Sequence, residues 1–564
     1  MSGQLSTPRP PWPGSLFVSQ REYGWVLGWS LLVLGLTFAP YAWCALQATP
    51  EHPFSGLVYD VEDVRTYLAE MRQGAEGAWL LHLPYTSEDH PRAFVHGLYL
   101  LLGKLLPLSG GDVLALFHGA RAILGVAALV SVYRFHAAFS GLVAVRKVAW
   151  LLTALSSGMG WLLVLLGRSQ WLGDMPIDFW VPEAFTLPIV YAFPHISLSL
   201  VLLLEALLAY LRAAEGGGRR HALRGGALAL ALAFVVPFDL GVVYGAIGAH
   251  LLALALLRRA HLREAFPAAL ALGAVSLPGL AYNGWVFTFN EAFREWSRQN
   301  LGFSPHPAHF LVAYLFLALL AVPGLARMLK QRHLRDLFLV GWIGAVALLL
   351  YLPFNLQRRL IIGTHPVLCF LAAVGLLQGV IPWASRSRPW RWLLARGRGR
   401  YTPRGLRRLG VYAVLCLSLP SNLLLLAGPL VQAQGHIPPL YLTREQAEAA
   451  QWLAEHAQSG SVVLSSPAVG NILPTVAPVW VFLGHGAITA QFDRKVAEAA
   501  WFYAHAAEEP EAARAWLEAQ GIDYVYLGPD ERALAGGQGA DLQALPYLEP
   551  AFRSGNTWLF AFRP

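Results

Sequence analysis

Residues 361–410 read IIGTHPVLCFLAAVGLLQGVIPWASRSRPWRWLLARGRGRYTPRGLRRLG, and the stretch falls into two parts of opposite character. Residues 361–383 contain no Asp, Glu, Lys or Arg. A helix that crosses a bilayer needs roughly 20 apolar residues, so this run is long enough. Residues 384–410 then hold nine Arg and no acid, the charge pattern of a cytoplasmic loop beside a membrane helix. The whole chain repeats the first part's composition. Of its 564 residues, 56% are hydrophobic and 13% charged, against about 25% charged in a soluble domain. The mean hydropathy is +0.46. A soluble enzyme, a disordered chain and a disulfide scaffold are excluded, and a polytopic membrane protein remains.

Working outward, similar apolar runs occupy 25–46, 93–109, 113–134, 148–167, 194–212, 224–237, 239–257, 266–287, 308–328, 335–353 and 409–433, twelve with 361–383. This predicts 11–13 spans. Pro237-Phe238-Asp239 divides 224–257 into two helices, because one helix would bury Asp239 and break its bonding at Pro237. Basic loops also fall at Arg212, Arg219, Arg220 and Arg224, at Arg258, Arg259 and Arg263, and at Arg327, Lys330, Arg332 and Arg335. They place 288–307, 354–360 and everything after about 434 outside. The first half closes less neatly. Arg146 and Lys147 belong inside, yet 51–92 then falls inside if both 93–109 and 113–134 cross. Either one short run is re-entrant or a further span exists.

The formal charge of +8 is mostly loop arginine, so it argues for no nucleic-acid partner. Cys44, Cys369 and Cys416 all sit in apolar runs and form neither a disulfide framework nor a CxxC pattern. An Arg-, Ala- and Leu-rich chain with four Lys suggests a GC-rich bacterial genome. The polar, Pro-rich stretch Met1–Arg21 lacks a cleavage pattern and reads as preceding a signal anchor. The expected location is the bacterial cytoplasmic (inner) membrane. Two domains are expected: a multi-span region over 1–433 with an outer loop at 51–92, and an extracytoplasmic α/β domain over 434–564.

Within 434–564, Thr443-Arg-Glu-Gln446 is a capping box that opens a helix to about His456. Strands are expected at 462–464, 480–482, 524–527 and 557–562, and helices at 491–507 and 510–520. Alternating strands and helices argue for a small α/β domain. Gly470-Asn471 and Gly484-His485 read as turns.

The charges that fall outside are the informative ones. Loop 51–92 carries Asp60, Glu62 and Asp63, then Tyr67 one turn after Asp63, and His90 further on. A carboxylate beside the bilayer serves as a general base on an acceptor hydroxyl or amine, or holds a divalent cation. The alternative is a solvated helix N-terminus, where the dipole favours acids. Loop 168–193 carries Asp174, Asp178 and Glu183 among Trp171, Trp180 and Phe185, and leads into Pro194-His195. Arg358-Arg359 breaks the positive-inside trend, which a phosphate ligand explains because guanidinium forks match its oxygens. The competing role is a snorkelling headgroup anchor. His195, Asp239, and His118 with Arg121 are ionisable groups within or beside spans, where such groups are functional by default. The chain has no Walker A, GxSxG, HExxH or GxGxxG motif.

One span, a long outer loop with an early acidic cluster, many further spans and an outer α/β domain together resemble the GT-C glycosyltransferases. These include protein O-mannosyltransferases, the aminoarabinose transferase of lipid A and oligosaccharyltransferases. Asp63 and Tyr67 match the family's acidic motif, with Asp60 as the fallback. Glu62 precedes the Asp where the family's Glu follows it, and His90-Pro91-Arg92 stands where the family has Lys-Pro-Pro. The resemblance implies a transferase that takes sugar from a polyprenyl-phosphate donor, held by Arg358 or Arg359. The acceptor would be a protein, lipid or glycan at the outer face, with Asp63 as base or cation ligand. A transporter or flippase of a lipid-linked or polar solute is the alternative class.

Overall fold

The computed structural model describes residues 18–331, 334–396, 401–537 and 541–563. Most of the polar N-terminal stretch, Arg332, and Arg398 and Arg400 of the basic run lie outside the described residues. The protein is a polytopic α-helical membrane protein with a small five-stranded C-terminal sheet. Among the described residues, seven helices are long and apolar enough to cross a bilayer alone, and the pair Pro403–Leu417 and Pro420–Gln434, bent by 45°, brings the number to eight.

The remaining sequence runs give helices that are too short or too broken to be counted among these spans. Run 224–237 becomes helix Arg219–Val235, and 335–353 becomes Leu334–Leu349. Run 148–167 breaks into Val143–Leu155 and Gly160–Leu165. Run 93–109 is a correction: it holds only helix Gly97–Gly103 and a one-turn helix at Leu106–Ser109. Seven residues rise about 10 Å, a third of a hydrocarbon core. Its apolar face packs on helix Val61–Ala75 instead. A Cβ on Gly103 would lie 1.9 Å from the Met71 carbonyl oxygen, and one on Gly74 would lie 2.1 Å from that of Leu100. Glycine at both positions therefore permits the two backbones to touch.

The chain divides into two compact units. The first comprises Met1–Ala39, Ala120–Tyr282 and Gly302–Gly428. Its basic loops meet at one end. Arg335 grips Glu215, with Nη2 2.7 Å from Oε2, and donates to the Ala138 carbonyl at 2.8 Å. Arg134 forms a forked pair with Glu205. Arg146 pairs with Glu22 at 3.0 Å, and the Tyr133 hydroxyl donates to the same carboxylate at 2.6 Å. Helices Arg219–Val235 and Leu334–Leu349 run away from that end for about 25 Å. At the far end, three one-turn helices pack together: Pro182–Ala184, Pro237–Asp239 and Gln357–Ile361. Pro182 and Pro237 open two of them, where a proline's missing N–H is no loss.

Arg121, fully buried in this unit, donates to the Tyr191 carbonyl at 3.1 Å and stacks on Phe38. Tyr191 lies in the last turn of helix Thr186–Ala192, so the guanidinium satisfies a carbonyl that the helix break leaves open.

The second unit comprises Pro40–Gly119, Asn283–Leu301 and Pro429–Pro564. Its sheet has strands β1 (Val462–Leu464), β2 (Trp480–Val481), β3 (Tyr524–Leu527), β4 (Leu548–Ser554) and β5 (Thr557–Phe562), in the order β2-β1-β3-β5-β4. Strands β1, β2 and β3 are parallel, while β5 runs antiparallel to both β3 and β4. Helices Phe492–His505 and Pro510–Ala519 cover it through a core that includes Phe482, Phe502, Leu517, Val525 and Phe560. The Thr443 hydroxyl accepts from Gln446 N at 3.2 Å and the Gln446 side chain accepts from Thr443 N at 3.1 Å, closing the expected capping box on helix Arg444–His456. The sequence reading missed strand β4 and helices Pro467–Val476 and Pro529–Leu534. Gly470-Asn471 is therefore helical and not a turn, a correction traced below to close packing.

Candidate functional site

Helix Val61–Ala75 starts after Asp60, whose backbone is left-handed at φ 47° and ψ 52°. Asp is among the few residues that tolerate this region. Glu62 and Asp63 then occupy the first turn, where the helix dipole favours carboxylates. Asp63 Oδ1 lies 2.8 Å from His485 Nε2, so residues 422 positions apart meet. The His485 ring is oriented by the Ala487 amide, which donates to Nδ1 at 3.3 Å, leaving Nε2–H to donate to Asp63. Burial acts to lower the His485 pKa, but the Asp63 bond and the charges of Asp63, Glu62 and Asp60 raise it further, so it lies above its ordinary 6.5.

Two glycines bring His485 to this place. A Cβ on Gly470 would stand 2.0 Å from the Leu483 carbonyl oxygen, and one on Gly484 would stand 2.6 Å from the Tyr85 ring. The loop before His485 thus lies directly on helix Pro467–Val476. From that helix Asn471 donates to the Glu62 carbonyl at 3.3 Å and its carbonyl oxygen accepts from Tyr85.

Tyr67 follows Asp63 by one turn but meets other partners. Its ring stacks on Tyr99 at 4.3 Å and lies 5.7 Å from His96. Glu70, a turn further, is buried and bonded to His96 Nδ1 at 2.9 Å. Burial raises its pKa, with His96 opposing. His90 uses both ring nitrogens on its own loop: Nδ1 meets the Glu88 carbonyl at 2.9 Å and Nε2 accepts from Leu83 N at 3.1 Å. Burial lowers its pKa. In the same loop Glu88 pairs at 2.8 Å with Lys495, which is fully buried.

In the first unit, Arg359 Nε lies 3.8 Å from Glu183 Oε1 and its guanidinium faces the Phe238 ring at 6.0 Å. Asp239, on the neighbouring turn, accepts a hydrogen bond from the Ser199 hydroxyl. Arg358 lies over the Trp180 ring at 4.4 Å. The structure therefore brings together Arg358, Arg359 and Asp239, with Glu183 added. The Glu183 turn is fixed from below: the Tyr314 hydroxyl donates to the Ala184 carbonyl, and His365 Nδ1 accepts from Thr186 N at 3.2 Å.

The other acids of loop 168–193 lie elsewhere. Asp178 is buried and accepts from Gly160 N at 3.0 Å, capping helix Gly160–Leu165, and burial raises its pKa. Asp174 closes a small backbone bridge with Trp171, whose carbonyl also meets His309 Nε2 at 2.8 Å. The His195 ring packs against Phe193 at 5.2 Å, at the start of helix Pro194–Arg212.

Sequence reasoning set a binding role for His485 below its reading as a turn and left Glu183 out of the binding set. Gly484 directly before His485 was the signal for the first, and Pro182 directly before Glu183 for the second. Among the described residues, no three His, Cys, Asp or Glu side chains gather as a metal site would require. No step below runs through a divalent cation.

No protein-family model matches the chain, and no curated protein sequence does. Solved structures do match. The apo oligosaccharyltransferase of Archaeoglobus fulgidus aligns with a TM-score of 0.54 at 14% identity, over 94% of this chain and 74% of that one. Apo ArnT of Cupriavidus metallidurans aligns with 0.52 at 14% identity, over 95% and 98%. ArnT bound to undecaprenyl phosphate aligns with 0.50 at 16% identity, over 95% and 98%. These alignments cover 94–95% of the chain, and the chain has the GT-C fold.

Proposed function

We propose that the protein is a membrane glycosyltransferase that moves a sugar from a polyprenyl-phosphate donor to an acceptor at the outer face of a bacterial cytoplasmic membrane. The observation that carries the reading is the Asp63–His485 pair: a carboxylate in a helix's first turn, 26% exposed, with one oxygen held 2.8 Å from a ring nitrogen. Such a group is oriented for proton transfer yet reachable. The fold shared with ArnT, which has been solved with undecaprenyl phosphate, supports the donor class.

Asp63 takes the proton of the acceptor O–H or N–H as that atom bonds to the sugar's anomeric carbon. The carbon–oxygen bond to the polyprenyl phosphate breaks, and its electron pair stays with the phosphate. His485, raised in pKa, holds Asp63 aimed before the transfer. Arg359 and Arg358 bind the phosphate and stabilise its growing negative charge. The 3.8 Å contact of Arg359 with Glu183 is long for a salt bridge, so a phosphate oxygen can displace it. Protein, lipid and glycan acceptors all fit this chemistry.

The test uses full-length protein in liposomes with sugars linked to undecaprenyl phosphate. Asp63→Asn is expected to abolish transfer while undecaprenyl phosphate still binds. Arg358→Ala with Arg359→Ala is expected to weaken that binding about a hundredfold or more, the loss of two charge-assisted contacts. Unchanged transfer by Asp63→Asn removes Asp63 as the base. Unchanged binding by the double variant removes the arginines as the phosphate site.

A further inference from the structure

At the basic end of the first unit lies a groove of about 560 Å³, between the 213–222 segment and the start of helix Leu262–Phe289. The volume falls within the roughly 300–1,000 Å³ of ligand clefts. Its walls are small and apolar, with Ala213, Ala222, Ala268 and Ala271 among them. Arg219 and Arg263 line it as well, against one acid, Glu264. Among the described residues neither arginine has an ion-pair partner, whereas Arg134, Arg146, Arg224 and Arg335 of the same end are all paired. Pro267 sits four residues after Arg263 inside the helix. It lacks the N–H that would bond the Arg263 carbonyl, and its ring pushes against that turn, which keeps this wall open. The same helix presents Phe266, 58% exposed, and Leu270, 64% exposed, as only a surface facing hydrocarbon should.

We propose that this groove binds an anionic phospholipid, its headgroup phosphate between Arg219 and Arg263 and one acyl chain along the alanine wall. A soluble anion of the same charge would leave the apolar wall wet, since that wall offers no polar group to a sugar or base. A zwitterionic lipid would fill the wall but gain little from two unpaired guanidinium groups. The site is independent of the proposed transfer reaction and uses none of its residues.

The experiment is native mass spectrometry of the full-length protein released from detergent micelles with dioleoyl phosphatidylglycerol or dioleoyl phosphatidylcholine. Phosphatidylglycerol is expected to stay bound and phosphatidylcholine to leave. Arg219→Ala with Arg263→Ala should weaken phosphatidylglycerol retention roughly thirtyfold, a factor near five for each basic group at a membrane surface. The paired control Arg258→Ala with Arg259→Ala removes as much charge from outside the groove and should change retention only a few-fold. Ala271→Trp, which fills the groove without altering charge, should also abolish retention. Equal retention of the two lipids overturns the proposal. So does a control that loses as much as the lining variant, or an Ala271→Trp protein that retains lipid unchanged. Displacement by glycerol phosphate as effective as by the whole lipid would show that the acyl chain takes no part, and overturns it too.

Discussion

The contact between His485 and Asp63 is an ion pair while the ring is protonated and a hydrogen bond from a neutral ring to a carboxylate once it is not, and a double-mutant cycle across pH measures the change. The perturbations are His485→Gln, Asp63→Asn and both together. A hydrogen bond to a charged partner contributes about 1.5–3 kcal/mol, and the 2.8 Å separation suits one. The Asp63 side chain is 26% exposed and that of His485 13%, so solvent screens part of it. The expected coupling in acid is therefore about 1–2 kcal/mol. One contact opposes the charge: the Ala487 amide donates to Nδ1, which only a neutral ring accepts. At 3.3 Å that bond is long and contributes about 0.5 kcal/mol, less than the field of three nearby carboxylates. The imidazolium therefore prevails.

The sign follows from the raised pKa. His485 titrates above 6.5 when folded, so its pairing stabilises the protein fully below pH 6.5. The stabilisation fades as pH climbs through the folded value. Unfolding free energies of the parent, both single variants and the double variant, measured in detergent from pH 5.5 to 9, give the coupling at each pH. It should be largest at pH 5.5 and smaller at pH 9, where the neutral ring still donates to the carboxylate but the charge–charge attraction is gone. A coupling that is absent at pH 5.5, or the same at both ends, would refute the imidazolium.

Gly470→Ala drives a methyl group into the Leu483 carbonyl and should cost about 1–3 kcal/mol, read as a lower unfolding midpoint; a neutral result would mean that the His485 loop does not need the close approach. Glu88→Gln removes the paired charge from the fully buried Lys495 and, with Glu88 44% exposed, should cost about 1–2 kcal/mol, whereas adding Lys495→Met should recover most of it, because a buried ammonium is damaging mainly when its counter-charge is taken away. Equal destabilisation in the single and double variants would contradict that account.

How much could be read in advance depended on whether the deciding force was local. The capping box, β1, β3 and the first-turn acids of Val61–Ala75 are set by neighbours in sequence, and all were legible. Strand β4 was not, because Pro550 and the charges around it are tolerable only on an edge, and edge position is a property of the sheet. Helix Pro467–Val476 was hidden for a related reason. Gly470 weakens a helix in isolation, yet its missing side chain is what lets Leu483 pack there. The site divides the same way. Asp63 was visible from its own turn, but His485 looked like half of a glycine turn until tertiary packing gave it a partner. Among the acids of 168–193 composition offered no choice, whereas the fold sets Asp178 to capping and Glu183 to Arg359.

The unsettled first half of the topology yields to one ion pair and one short helix. Glu22 and Arg146 meet at 3.0 Å, so the start of helix Gln20–Leu46 and the chain just after Val113–Phe139 lie at the same end of their unit. Both helices are long and apolar enough to cross. If each crosses, Leu46 and Val113 emerge on one face, and the chain between them must cross an even number of times. Helix Gly97–Gly103 cannot supply a single crossing at about 10 Å, so the even number is zero. Apolar content alone counted 93–109 as a span, because burial against Met71 and immersion in lipid select the same residues. Length separates the two. Counting helix Arg219–Val235 as a further crossing, the basic loops at 212–224, 258–263 and 327–335 of the first unit fall on one face.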